Sequence, residues 1–135
     1  MDMLNGRVTL VTGASRGIGA AIALALGREG AAVGVNYRQS EAQAALVVAA
    51  IRAAGSKALS LRADVTDGTS VRSMVAEMLS AFGQIDVLVN NAGILTDAPL
   101  HQMSDETWDE MIATNLRSVF LCARAVLPGM IARGS

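Results

Sequence analysis

The stretch Thr12-Gly13-Ala14-Ser15-Arg16-Gly17-Ile18-Gly19 decides how the chain is read. Before it runs a short β-rich segment, Arg7 to Thr12; after it Ile18, Ile22, Ala25 and Leu26 recur at helical spacing and predict one apolar helix face. A strand that passes through a glycine turn into a helix gathers unpaired amides and the positive end of the helix dipole at one point, which suits a pyrophosphate. Each glycine has its own reason. Gly13 permits the tight turn, Gly17 lets the backbone approach phosphate with no side chain between, and Gly19 lets the helix pack closely on the strand. A mononucleotide loop would need lysine and then serine or threonine after its last glycine; Ala20 and Ala21 stand there instead.

Working outward, the same strand-and-helix unit repeats. Gly30 ends the first helix, Ala32 to Tyr37 reads as a second strand, and Ser40-Glu41-Ala42-Gln43 has capping-box form at the start of a second helix. That helix carries Leu46, Val47, Ala50 and Ile51 and meets Gly55, suited to a left-handed end. Ala58 to Ala63 predicts strand three. Thr66 is placed to cap a third helix with Val71, Val75, Met78, Leu79 and Phe82 inward, closed by Gly83. The apolar run Ile85 to Val89 predicts a fourth strand covered on both faces, hence a parallel sheet. Ser104 caps the last helical region, with Asp105 and Glu106 in its first turn and Met103 placed to staple against Trp108; the helix continues toward Ile131, with Pro128 able to bend it. The fold class that follows is α/β, a doubly wound parallel sheet of four strands in the order 3-2-1-4 with flanking helices, forming one domain over residues 1–135.

Composition agrees and narrows the field. Of 135 residues, 52% are hydrophobic, 17% charged and 3% aromatic, which suits an ordered core and argues against disorder. The net charge is −1 with scattered arginines, so no basic stripe supports nucleic-acid binding. The single cysteine, Cys122, excludes an intrachain disulfide and a multi-cysteine metal site, and no leader-like segment opens the chain, so a cytoplasmic location is expected. Polar residues punctuate every apolar run before the roughly 18 residues a membrane span needs, so no membrane is expected either. His101 reads as a solvated loop residue and Cys122 as helix packing.

Taken together, Thr12 to Gly19, the pair Asp64-Val65, the run Asn90-Asn91-Ala92-Gly93, and Asn115 resemble the single-domain branch of the short-chain dehydrogenase/reductase family, over essentially the whole chain. The resemblance implies a Rossmann-type fold that binds a nicotinamide cofactor and acts on a small-molecule carbonyl or alcohol. It implies that Gly13, Ser15, Arg16, Gly17, Ile18 and Gly19 hold the phosphates and that Asp64 and Val65 sit beside the adenine. It further implies that Asn91, Ala92 and Gly93 line the cleft after strand four, and that Asn115 belongs to a catalytic Asn-Ser-Tyr-Lys set.

The cofactor type rests on the end of strand two. An NAD-selective site usually places an acid there; this strand ends Val35-Asn36-Tyr37-Arg38, and Glu41 is the next acid. Arg38 and Arg16 are placed to clamp a 2′-phosphate, so NADP(H) is expected over NAD(H), with Asn36, Tyr37 and Arg38 counted among the cofactor-binding residues.

Family chemistry has a tyrosine donating a proton to the carbonyl oxygen, with a lysine close after it lowering the tyrosine pKa and a serine polarising the carbonyl. The one tyrosine, Tyr37, and the one lysine, Lys57, lie twenty positions apart, so no Tyr-x-x-x-Lys pair exists. The expectation is a front portion of such an enzyme, truncated before its serine and acid, able to bind cofactor and turn nothing over. An open apolar sheet edge and the uncovered Leu116, Val119, Phe120, Val126 and Leu127 predict that the chain self-associates, swaps elements or is a processed portion of a longer polypeptide, with a homo-oligomer expected. The alternative is a catalytically silent dinucleotide-binding or protein-interaction module.

Overall fold

The computed structural model describes residues 2–134. Four parallel strands, β1 (Val8–Val11), β2 (Ala32–Tyr37), β3 (Ala58–Arg62) and β4 (Val87–Val89), lie in the order β3-β2-β1-β4, as the sequence predicts. Helices α1 (Gly17–Arg28), α2 (Glu41–Ala53) and α3 (Gly68–Phe82) form the crossovers. A 3-10 turn at Leu100–Gln102 leads to α4 (Asp105–Ile112), a π-helical turn (Ala113–Arg117) and α5 (Ser118–Arg133).

The alternation along β1 builds two cores. Val8 and Leu10 face a cluster made with Leu61, Val71, Met74, Met78, Leu121 and Val126, beneath α3 and α5. Val11 joins Val33, Val35, Tyr37, Ala23, Val47 and Ile51 on the opposite face, beneath α1 and α2. Each fully buried Leu, Ile or Met side chain contributes about 1.5–3 kcal/mol by leaving water, and both faces of the sheet are closed this way. Gly34 on β2 makes room for the Met78 sulfur, which a Cβ would strike. The sheet edge at β4 is more open: its three residues are half-buried rather than covered on both faces, because no strand pairs with its outer side among the described residues.

Several predicted helix faces are rotated. On α1 the buried stripe is Gly19, Ala23 and Gly27, while Ile18 is 75% exposed and Ala25 is also outside. Small residues win there because a Cβ at Gly27 would lie 2.7 Å from Ile51 of α2; large apolar groups cannot occupy so close a contact. On α2 the inward set is Ala44, Val47, Val48 and Ile51, with Leu46 at 71% exposure and Ala50 exposed. On α3 Met74 joins the buried residues and Leu79 stands outside, while Phe82 is half-buried and packs against the core as predicted. Ser40 is the N-cap of α2, but its side chain makes no capping bond. Asp67 rather than Thr66 caps α3, accepting from the Thr69 amide, because the Thr66 hydroxyl is bonded to Asp64 instead. Ser104 caps α4 as predicted, accepting from the Thr107 amide, and Gly55 and Gly83 take positive φ as predicted.

The last helical stretch departs most. Pro128 sits inside α5, and the irregularity lies upstream, in the π turn that contains Asn115. The unit Asp105–Arg133, 29 residues long, is by length and composition alone apolar enough to cross a membrane, although Arg117 and Arg124 interrupt its apolar run as the sequence predicts. Leu121, Cys122 and Val126 of this helix are buried against the sheet and α3.

Candidate functional site

Where β1, β2 and β3 end, a cavity of about 450 Å³ opens between the glycine turn and the segments after β2, β3 and β4. It is lined by Gly13, Ser15, Arg16, Gly17 and Ile18 from the turn; by Asn36, Tyr37 and Arg38 from the end of β2; by Asp64 and Val65; and by Asn91, Ala92 and Gly93. Thus the sequence brings together nearly every residue predicted for the site. Gly19 lies buried beneath the turn, and Asn115 stands outside the lining, represented there by its neighbour Thr114.

The turn is held by steric and hydrogen-bond constraints together. Gly13 has φ +59°, and a Cβ on it would come within 2.9 Å of the Ala92 Cα; a Cβ on Gly19 would run into the Gly13 carbonyl and the Asn91 amide. Gly17, also at φ +59°, has nothing within 4 Å of its would-be Cβ, so its bare backbone faces open space at the helix start. Arg16, the N-cap of α1, offers no side-chain capping bond, which leaves the leading amides of this helix for an anion.

The cleft wall after β4 is tied to the turn through Thr12, a residue the sequence reading quoted in the motif without giving it a role. Its buried hydroxyl accepts from the amides of Asn91 and Ala92, both at 3.0 Å, and the Asn91 side-chain amide donates to the Gly13 carbonyl at 3.0 Å. These bonds fix the Asn91–Gly93 segment against the glycine turn. Farther along, the Ile94 amide donates to Asn115 Oδ1 (2.7 Å) and Asn115 Nδ2 donates to the Ile94 carbonyl (2.8 Å). The extra residue of the π turn lets one side-chain amide clasp both backbone groups of Ile94; such turns are hard to read from sequence and are frequent at functional positions.

Charge is concentrated at the β2–β3 end. Asp64 Oδ1 accepts from the Thr66 hydroxyl (2.6 Å) and the Thr66 amide (3.0 Å), while Oδ2 faces Arg38 Nη2 at 3.7 Å. The Thr66 hydroxyl bond is the main reason the Asp64 carboxyl is held below its ordinary pKa, with the Thr66 amide and Arg38 adding to it against partial burial. Thr66 is the second residue the sequence reading missed, having been assigned to a helix cap. Arg38 and Arg16 both border the cavity, and Arg38 keeps most of its surface in solvent.

The lining offers bare glycine backbone and helix-terminal amides suited to phosphates, guanidinium groups suited to additional phosphate charge, and an anchored carboxylate suited to a hydrogen-bond donor. Tyr37 is buried within β2, and Lys57 borders a separate cavity at the opposite end of the sheet, so these two do not form a proton-transfer pair.

Comparison with known proteins fits this geometry. The family model described as short chain dehydrogenase matches residues 7–135. A 3-oxoacyl-[acyl-carrier-protein] reductase FabG of Staphylococcus epidermidis is 48% identical over 126 residues, covering 93% of this chain and 52% of that protein. The Synechocystis 3-oxoacyl-[acyl-carrier-protein] reductase is 47% identical over 135 residues, covering 100% of this chain and 55% of its own length. Among solved structures, a metagenomic short-chain oxidoreductase in complex with NADP superposes with a TM-score of 0.90 at 45% identity, over 97% of this chain and 59% of that one. A short chain dehydrogenase from Burkholderia cenocepacia in complex with NADP gives 0.90 at 41%, over 94% and 52%. The chain spans about half the length of the curated relatives it matches. The strand order, the glycine turn and the sequence match agree: this chain belongs to the short-chain dehydrogenase family, whose members are oxidoreductases.

Proposed function

We propose that this chain supplies the NADP(H)-binding portion of a short-chain oxidoreductase that interconverts a small-molecule carbonyl and its alcohol. The observation that carries the cofactor choice is the end of β2: Arg38, not an acid, borders the cavity beside Asp64, with Arg16 across the glycine turn. In this reading the backbone at Gly13 and Gly17–Gly19, with Ser15, holds the pyrophosphate. Arg16 and Arg38 take the 2′-phosphate, Asp64 and Val65 flank the adenine, and Tyr37, Ile18 and Asn91–Gly93 close the cleft. The bound cofactor supplies the hydride; this chain's residues bind and orient it.

Within these 135 residues the proton donor is missing, since Tyr37 is buried and Lys57 lies at the far end of the sheet. We therefore assign to the chain cofactor binding without turnover, and to Asn115 a role through the backbone it clasps. The carrier-protein reductases among its relatives support a 3-oxoacyl ketone as the first substrate to screen in a protein carrying the remaining machinery. A cytoplasmic location and self-association through the exposed α4–α5 face, where Leu116 and Phe120 stand in solvent, belong to the same reading.

The test is the ratio of dissociation constants for NADPH and NADH. A clamp of two guanidinium groups predicts NADPH tighter by about tenfold or more, and an Arg16→Ala, Arg38→Ala double variant that loses the preference. Equal affinities, or a preference that survives the double variant, overturn the NADP(H) assignment.

A further inference from the structure

Asn36 is 2% exposed, one of only four buried polar residues among those described, and it sits on the β2 face opposite Val33, Val35 and Tyr37. A buried amide costs about 1–3 kcal/mol when its polar atoms go unpaired, so its presence in a core strand calls for partners on both of its ends. It has them. Oδ1 accepts from the Gly13 amide at 3.0 Å, while Nδ2 donates to the Leu61 carbonyl at 3.1 Å and more weakly to that of Ala63 at 3.4 Å. Its backbone carbonyl accepts from the Ala14 amide at 2.8 Å. Two consecutive amides of the glycine turn therefore end on Asn36, and its side chain continues the connection to the end of β3, immediately before Asp64.

Gly13 is gripped from the other side by Asn91, which donates to its carbonyl. Gly13, at the apex of the turn, is thereby fixed at both its N–H and its carbonyl, and with it the direction in which Gly17–Gly19 present their amides. A side chain that accepts at one end and donates at the other is needed for this. Aspartate lacks the donors, leucine lacks both, and serine lacks the reach.

We propose that Asn36 is a positioning residue that locks the phosphate-facing turn to the end of β3, setting the turn and the Asp64 segment in register for the two halves of one nucleotide. The proposal rests on the dinucleotide reading of the cavity, and it shifts the part played by Asn36 from touching cofactor to holding the backbone that does.

The experiment titrates the full chain and its Asn36→Ser and Asn36→Asp variants with ADP and with adenosine, following amide signals by NMR, alongside hydrogen exchange. Wild-type binding of ADP supports the cavity reading, and its absence overturns that reading and this proposal with it. Given wild-type binding, Asn36→Ser should weaken ADP by about tenfold while adenosine changes less than about twofold, since the purine end keeps its partners. The Gly13 amide should lose exchange protection while those of Val33 and Val35 keep theirs. Asn36→Asp, which retains an acceptor for Gly13 and loses the donors to β3, should fall between the two and keep Gly13 protected. An equal loss for ADP and adenosine, or protection lost uniformly across β2, marks a merely structural residue and overturns the proposal, as does unchanged ADP affinity in both variants. If Asn36→Ser does not fold, Asn36→Asp alone decides: ADP weakened more than adenosine supports the proposal, and parity contradicts it.

Discussion

The glycine turn after β1 and the helical arm from α4 to α5 both border the candidate site, yet they are built in opposite ways. The turn is wired inward: Thr12 and Asn36 are buried, the N–H and the carbonyl of Gly13 are both hydrogen-bonded, and side chains at Gly13 and Gly19 would strike backbone. The arm is held on one face only, through Leu121, Cys122 and Val126, while Leu116, Phe120, Leu127 and Ile131 stand in solvent and the Asn115 clasp is itself exposed. A region constrained on all sides tolerates one backbone path, whereas a region constrained on one side can shift when its partners or ligands change. The difference predicts a rank order of sensitivity.

The largest effect should come from Gly13→Val, which combines a β-branched residue at φ +59° with a clash against the Ala92 backbone. Strain and overpacking together cost about 3 kcal/mol or more, and nucleotide binding should fall by about 100-fold. Denaturant melts and a titration on the same sample check both; a variant with near-native affinity would show the turn to be more yielding than the arm. Next is Asn115→Ala, which deletes two exposed hydrogen bonds to Ile94. We expect a loss of about 1–2 kcal/mol, with hydrogen exchange rising at Ile94 and its neighbours and remaining unchanged in β1 and β2. A third variant, Leu116→Ser with Phe120→Ser, removes exposed apolar surface; its melting free energy should stay within about 0.5 kcal/mol, while sedimentation should show less self-association.

The smallest effect is electrostatic. The Asp64 carboxyl has its folded pKa depressed, chiefly by the Thr66 hydroxyl bond, so its contribution is present above its ordinary value of 3.8 and disappears as pH falls through the lower folded value. Wild type should therefore lose stability faster than Asp64→Asn over that acid range and differ little from it in slope at neutral pH. Parallel curves throughout would show that the Thr66 bonds do not discriminate the charged form.

What was legible in the sequence follows the same division. Gly13, Gly17 and Gly19 announce themselves because only glycine satisfies the backbone and the close contacts there, and Gly55 and Gly83 mark helix ends for a related reason. From these and the apolar strand runs the strands and the glycine turn could be read, while Asp64, Val65 and Asn91–Gly93 entered through the resemblance to the family. The faces of α1 and α2 were legible only in part: Ile22, Leu26, Val47 and Ile51 pack against the core as predicted, whereas Ile18 and Leu46 stand outside because close helix packing here selects Gly19, Ala23 and Gly27. Thr66 looked like a cap because its competing partner, Asp64, is set by the turn after β3 and leaves no mark in spacing. The π turn at Ala113–Arg117 was invisible for a similar reason: one slipped hydrogen bond within a helix changes no residue preference.

The most direct test of the central claim is to add NADPH to the isotopically labelled chain and map the amide shifts. The account predicts that the largest changes fall on Gly13, Gly17, Ile18, Gly19, Arg38, Val65 and Ala92, with the exposed residues of α5 from Val119 to Ile131 unmoved. Shifts concentrated in α5, or around the opposite cavity bordered by Arg7 and Lys57, would contradict it.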